Sequence, residues 1–481
     1  MRTEFFLFDR SKFNQILCAF IICFPIFNYG NCLGWMSPMA LLLQSKESPR
    51  GEPFTDVEIS WMASVPYLAG IPFYYLLAYM GDKYGRKVTL LFTAAMGSGI
   101  WILKLLSTEF WVFVIARCMV GVLMAGSFVT CPVYIKEISE NSIRGHLGCW
   151  TTVFYTSGSL FAYIIGDLLS YTAILLVCLT VPVISLLLFM VLPESPSYLV
   201  QIGKLEEAEK VLLWLRRKTE VDSAIRQEIE IIKTEQKNDE INDGSLIKTI
   251  FTDKILFRAF QIALMAALAR EVCGAVPVIN FAGNIFLEAS EGAQITLNPN
   301  QQAMLLGLVQ SLGTIIASTI VDKSGRRPLL ITTCLISGVS MCTVATWFLL
   351  KNYGITSTIW IPIVTLCICI FCDSAGLLPL GTVITGEIFS FKYRGTILAT
   401  TMAIASFVDF FQVLFFKIIS AAIGLQVSFY VFGIMCLLSA LYVYIRVPET
   451  KTRPLEEIYD DLRTKREKRE LELKSEAISR F

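Results

Sequence analysis

The sequence predicts an all-α membrane protein: twelve transmembrane helices in two pseudo-symmetric six-helix halves, with cytoplasmic amphipathic helices between the halves. Three observations predict it. The 481-residue chain is 54% hydrophobic and only 17% charged, against about 25% charged in a soluble domain. Its apolar residues gather into twelve stretches of roughly 20 residues or more, enough to cross about 30 Å of hydrocarbon. Three charged motifs from the first half then recur, in the same order, in the second.

The first six stretches are 13–43, 57–80, 88–106, 111–134, 146–169 and 173–192. The second six are 255–286, 303–321, 329–350, 359–385, 396–419 and 427–447. The first is too long for a cleaved signal peptide and is followed by eleven others, so it reads as a retained helix. Lys83, Arg86, Lys87, Lys136, Arg144, Lys323, Arg326, Arg327 and the basic residues of 204–258 fall on one side, with both termini. Lys46, Arg50, Lys104 and Lys351 fall on the other. By the positive-inside rule the first side, termini included, is cytoplasmic.

The polar stretch 193–258 divides the chain into a half at 1–192, a linker, a half at 259–450 and a tail at 451–481. Within the linker, Leu205, Ala208, Val211, Leu212 and Leu215 recur at helical spacing among charged residues. This marks an amphipathic helix packed under the bundle as a brace for both halves, or lying on lipid headgroups. The 14 cysteines fall almost wholly inside the stretches, which argues against a disulfide framework. Cys367, Cys369 and Cys372 have the look of a ligand set, but the single histidine, His146, is far away in sequence; they read as packing residues. No basic stripe interleaved with aromatics suggests nucleic acid. No phosphate loop or nucleophile elbow suggests an enzyme.

The repeat is the functional signal. Gly81 to Lys87 returns as Asp322 to Arg327, Glu137 with Arg144-Gly145 as Glu387 with Arg394-Gly395, and Pro193-Glu194-Ser195 as Pro448-Glu449-Thr450. Paired halves in a membrane chain point to a transporter. Gly85 and Gly325 suit tight turns, and Arg86, Lys87, Arg326 and Arg327 anchor the loops. Charge-assisted bonds among Asp82, Arg86, Glu137 and Arg144, and among Asp322, Arg326, Glu387 and Arg394, would latch the inner helix ends and bias an alternating-access equilibrium.

At these residues the chain resembles the sugar porter family of the major facilitator superfamily. The likeness also rests on Arg117 and Gly121 in the fourth stretch, Pro132, Tyr134 and Glu137, Pro193 to Pro196, and Pro448 to Lys451. Gly34 to Pro38 and Ser60-Trp61 are similar to the branch of trehalose and facilitative glucose transporters. The resemblance implies a monomeric, cofactor-free carrier of a hexose or trehalose in the plasma membrane. It also implies the positions that should touch solute, and most of these have changed: Thr152, Arg270-Glu271, Asn280, Gln310 and Thr382, with Asp409 one turn beyond Ala405-Ser406. Proton-coupled members carry an Asp where this chain has Cys32, so facilitated diffusion is expected.

Arg270 and Glu271 stand out because an ionisable group inside a span costs roughly 2.5–3.5 kcal/mol. Three readings stay open: a structural lock, a site for a charged or non-hexose solute, or a position nearer the membrane surface. As neighbours about 100° apart on a helix they are not expected to bond each other alone. A nutrient sensor that keeps the fold but moves little solute is the alternative function, and a proton-coupled porter of a non-sugar solute is another.

Overall fold

The computed structural model describes residues 10–240, 250, 252–290, 297–355, 358, 360–389, 391–451, 453 and 455–463. The side chains of Asp322 and Arg394 lie outside that description. Helices fill it, and no strand occurs among the described residues. The first six spans are Phe13–Leu43, Asp56–Tyr84, Arg86–Leu106, Phe110–Ile138, Asn141–Leu168 and Tyr171–Val191. The second six are Lys254–Ser290, Pro299–Lys323, Arg326–Asn352, Trp360–Ile388, Phe391–Ile423 and Leu425–Arg446.

Local sequence explains where the spans start and bend. Span two begins at a reciprocal cap in which Thr55 and Glu58 satisfy each other's backbone N–H groups. Span one is interrupted at Cys23 and Trp35, in each case just before a proline (Pro25, Pro38) that removes a helical donor. Spans seven and ten are broken more deeply, and those breaks build the central site.

Among the described residues, nine of the spans are long and apolar enough to cross a membrane by composition alone. Spans two and eleven pack together across the two halves, as do five and eight. Within the halves, span two packs on four, one on five and three on six, while nine packs on ten and twelve. The packing of one on five is close: a Cβ on Gly30 would lie 1.9 Å from the Tyr155 carbonyl oxygen, and one on Gly158 would lie 2.1 Å from that of Phe27.

The amphipathic linker helix forms at Leu205–Arg216 and buries Ala208, Leu212 and Leu215. It joins Leu199, Val200, Ile225 and Ile229 in a small core of its own. Its described hydrogen bonds to the spans run to the first half. Asn14 donates to the Trp214 carbonyl at 2.7 Å and Arg216 to that of Ile138 at 2.9 Å. The described contacts therefore make it a foot for one half, whereas the sequence suggested a brace for two. The second half is supported separately, with Arg258 donating to the Leu462 carbonyl at the end of Leu455–Leu462.

Candidate functional site

The side of the molecule that carries the linker is built around two charge networks of the same plan. In the first half, Arg86 pairs with Glu137 at 3.0 Å and with Asp82 at 3.2 Å, and donates to the Gly81 carbonyl. The other Glu137 oxygen accepts from Ser195. Glu194 receives the backbone N–H groups of Arg86 and Lys87 at 3.0 and 3.1 Å, so a carboxylate caps the start of span three. Lys87 reaches the Met190 carbonyl.

The second half repeats the contacts of Arg86, Glu137, Ser195, Glu194 and Lys87. Arg326 pairs with Glu387 at 2.9 Å and donates to the Val321 carbonyl. Thr450 donates to Glu387 at 2.5 Å. Glu449 caps span nine through the N–H groups of Arg326 and Arg327, and Arg327 reaches the Tyr444 carbonyl. Burial alone would raise the Glu449 carboxyl, but the N–H groups of Lys451, Arg326, Arg327 and Thr450 outweigh it and hold the group below its ordinary range.

The two glycines turn out to have different roles. Gly85 has φ +100°, a conformation other residues avoid. Gly325 has φ −64° and needs no such freedom. What both require is room, since a Cβ would meet Glu194 Oε2 at 2.3 Å or Glu449 Oε2 at 2.4 Å. Arg144 does not join the Arg86–Glu137 pair; its Nη2 donates to the Ser139 carbonyl at 3.1 Å.

The central site comes from three helix breaks. The first segment of span seven ends at Glu271, followed by Gly274 at φ +79°, where a Cβ would enter the Phe432 ring. The second segment kinks at Phe281 (φ −118°, ψ 18°). Span ten passes through a π turn at Asp373–Leu377 before Pro379. These breaks gather four charges in the second half. Arg270 lies 3.1 Å from Glu271 and 3.3 Å from Asp373, and Asp409 of span eleven lies within electrostatic range of Glu271 and Arg270. Arg270 and Glu271 therefore do meet, because Glu271 is the last helical residue and Asp373 and Asp409 complete the cluster. Asp373 was not picked out in the sequence.

Four buried tyrosines of the first half, Tyr29, Tyr67, Tyr74 and Tyr155, lie within electrostatic range of the cluster. Tyr74 bonds Ser406 at 3.0 Å, and the Tyr67 hydroxyl accepts from Asn280 at 3.1 Å. Asn280 and Gln310 are both fully buried. Asn280 Oδ1 and both polar atoms of the Gln310 amide have no partner among the described residues. Gln310 lies one turn from Thr314, whose hydroxyl meets Thr156 of the other half at 3.2 Å. Thr152 is half-buried and its carbonyl accepts from Thr156. Thr382 is exposed and bonds the Pro379 carbonyl, so the structure leaves it outside the cluster.

Away from the linker side the halves are bonded together. The Gly283 N–H donates to Ser37 at 2.9 Å, Tyr163 to the Ile279 carbonyl at 2.8 Å, and Asn284 to Gln44 at 3.1 Å. Lys417 pairs with Asp56 at 3.3 Å and bonds Gln44. On the linker side, by contrast, the two charge networks close within their own halves. There span five exposes Gly145, His146, Gly148 and Cys149, and no described residue lies within 4 Å of where a Cβ on either glycine would sit.

A central polar site, sealed on one face and flanked by duplicated networks on the other, agrees with what the whole chain matches. The family model described as "Sugar (and other) transporter" matches residues 8–462. The chain belongs to that family. It is 28% identical to a facilitated trehalose transporter of Apis mellifera ligustica, over 95% of this chain and 90% of that protein. It is also 28% identical to one of Bombyx mori, over 92% and 86%. An inward-open structure of the xylose transporter XylE from E. coli matches 92% of this chain and 99% of that one, with a TM-score of 0.75 at 20% identity. The fold is thus that of the family's transporters, a multi-pass membrane protein and not an enzyme. Lys104, inside the third span as its stretch suggested, is buried between Trp35 and Trp101, 3.4 and 4.5 Å from the ring centroids.

Proposed function

We propose that this chain carries a hydroxyl-rich solute of the sugar class, a hexose or trehalose-like molecule, by alternating access and facilitated diffusion. The observation that carries this reading is the buried pair of amides, Asn280 and Gln310, whose polar atoms lack partners among the described residues at a centre where the two halves meet. Buried amides normally find partners, and an amide both donates to and accepts from sugar hydroxyls without the penalty of a buried charge. The curated relatives support the trehalose class. The absence of any acidic residue from span one supports uniport.

In this reading the linker side is cytoplasmic, the described state faces inward, and the carrier is a monomer of the plasma membrane. The networks at Arg86 and Arg326 keep each half rigid while the halves rock. The boundaries 1–192 and 259–450 are the moving bodies. The test is counterflow of radiolabelled trehalose and glucose by the purified chain in liposomes. Saturable exchange of either is expected, and no exchange of any sugar would favour a non-transporting sensor.

A further inference from the structure

The central cluster is not neutral, and its imbalance says something about the cargo. Among the described residues, Arg270 is the one cation beside Glu271, Asp373 and Asp409. Three carboxylates therefore stand against one guanidinium, so negative charge is in excess. Arg117 of the facing half does not join the cluster. Its guanidinium is held on the carbonyls of Met62, Cys32 and Ala63 at 2.6, 2.8 and 3.5 Å. Lys417 is engaged at the far side with Asp56.

The excess charge is buried. Asp373 is fully buried and Asp409 is 6% exposed. Neither Asp373 oxygen makes a hydrogen bond of good geometry among the described residues, and Asp409 Oδ1 makes none. An uncompensated carboxylate inside a span is expensive and marks a function. The four tyrosines, whose ring faces attract cations, lie within electrostatic range of this cluster, and Asn280, bonded to Tyr67, and Gln310 hold unpartnered amide atoms.

Resting on the carrier reading above, we propose that the site takes a polyhydroxylated solute bearing one positive charge, of the amino sugar class. The ammonium lies against Asp409 and Asp373 among the tyrosine rings, and the hydroxyls meet Asn280 and Gln310. A wholly neutral sugar would leave the carboxylate unpaired.

The test is uptake by the full-length chain in liposomes at about pH 6.5, where a sugar amine is largely protonated, comparing radiolabelled D-glucosamine with D-glucose. Glucosamine should be favoured by about tenfold, corresponding to ~1.4 kcal/mol. Because each turnover moves one charge, an inside-negative potential should speed its uptake. Asp409→Asn should abolish the preference, and Asp373→Asn provides a second variant if the first aggregates. The potential dependence of the unaltered chain decides the matter without either. Equal uptake of both sugars, insensitive to potential, overturns the cationic solute and leaves the carrier standing. Glucose uptake that follows a proton gradient and is lost in Glu271→Gln makes the proton the missing cation and also overturns it. No flux of either sugar removes the carrier reading itself.

Discussion

The linker-side networks and the central cluster are both made of arginines and carboxylates, yet they are built in opposite ways. The linker-side network occurs twice, once per half, with the same partners in the same order: Arg86, Glu137, Ser195 and Glu194 against Arg326, Glu387, Thr450 and Glu449. Nearly every group in it has a partner. The central cluster occurs once, in the second half only, with three carboxylates around one guanidinium and several orphaned atoms. A network that is satisfied within each half belongs to the rigid bodies. A network left unsatisfied in a buried place is arranged for something that arrives.

That contrast can be tested by substitution. The largest effect is expected where a satisfied, buried pair is broken. Glu137→Gln leaves Arg86 with only the exposed Asp82 as a charged partner, and thermal unfolding in detergent should show a loss of up to about 3–5 kcal/mol. Glu387 is the more exposed partner, 27% against 13%, so Glu387→Gln should cost less, about 1–3 kcal/mol. Equal losses would mean that the two networks are not graded by burial.

The glycines divide the same comparison more finely. Gly85→Ala must adopt a positive φ and displace Glu194, with about 1–2 kcal/mol from the backbone alone. Gly325→Ala has only to shift Glu449, at about 1 kcal/mol. Their order should be visible in melting temperatures, and a reversed order would contradict the φ assignment. The smallest effect is expected at Lys104. Exchanging this buried cation for Met gives up its contact with Trp35 and Trp101 but also its desolvation, so stability should stay within about 1 kcal/mol. A collapse of the protein in Lys104→Met would show that the charge has a structural partner.

Much of this architecture can be read from the sequence because it rests on periodic or repeated features. Twelve apolar stretches and three recurring motifs suffice for the fold, and the Pro-Glu pairs at 193–194 and 448–449 announce themselves as a repeat. Their task as helix caps does not, since it depends on loops that lie far away in sequence. In the centre, Arg270, Glu271, Asn280, Gln310 and Asp409 stand out as departures from a family pattern. Asp373 is legible on the same physical ground, a carboxylate inside an apolar span close to Gly376 and Pro379. Arg144 shows the opposite limit. Its spacing from Glu137 matches that of Arg394 from Glu387, yet spacing cannot say that the side chain turns to the Ser139 carbonyl. Contacts between halves, such as Tyr67 with Asn280 or Lys417 with Asp56, join residues hundreds of positions apart and leave no local trace.

The most direct test sets one residue of each network side by side, with thermal stability and solute exchange measured on the same preparations of Glu137→Gln and Asp409→Asn. The account predicts that Glu137→Gln loses stability. Asp409→Asn should melt at or above the temperature of the unaltered chain while losing exchange of its solute. If Asp409→Asn is instead destabilised as strongly as Glu137→Gln, the central cluster is a structural lock and the division between frame and cargo site is wrong.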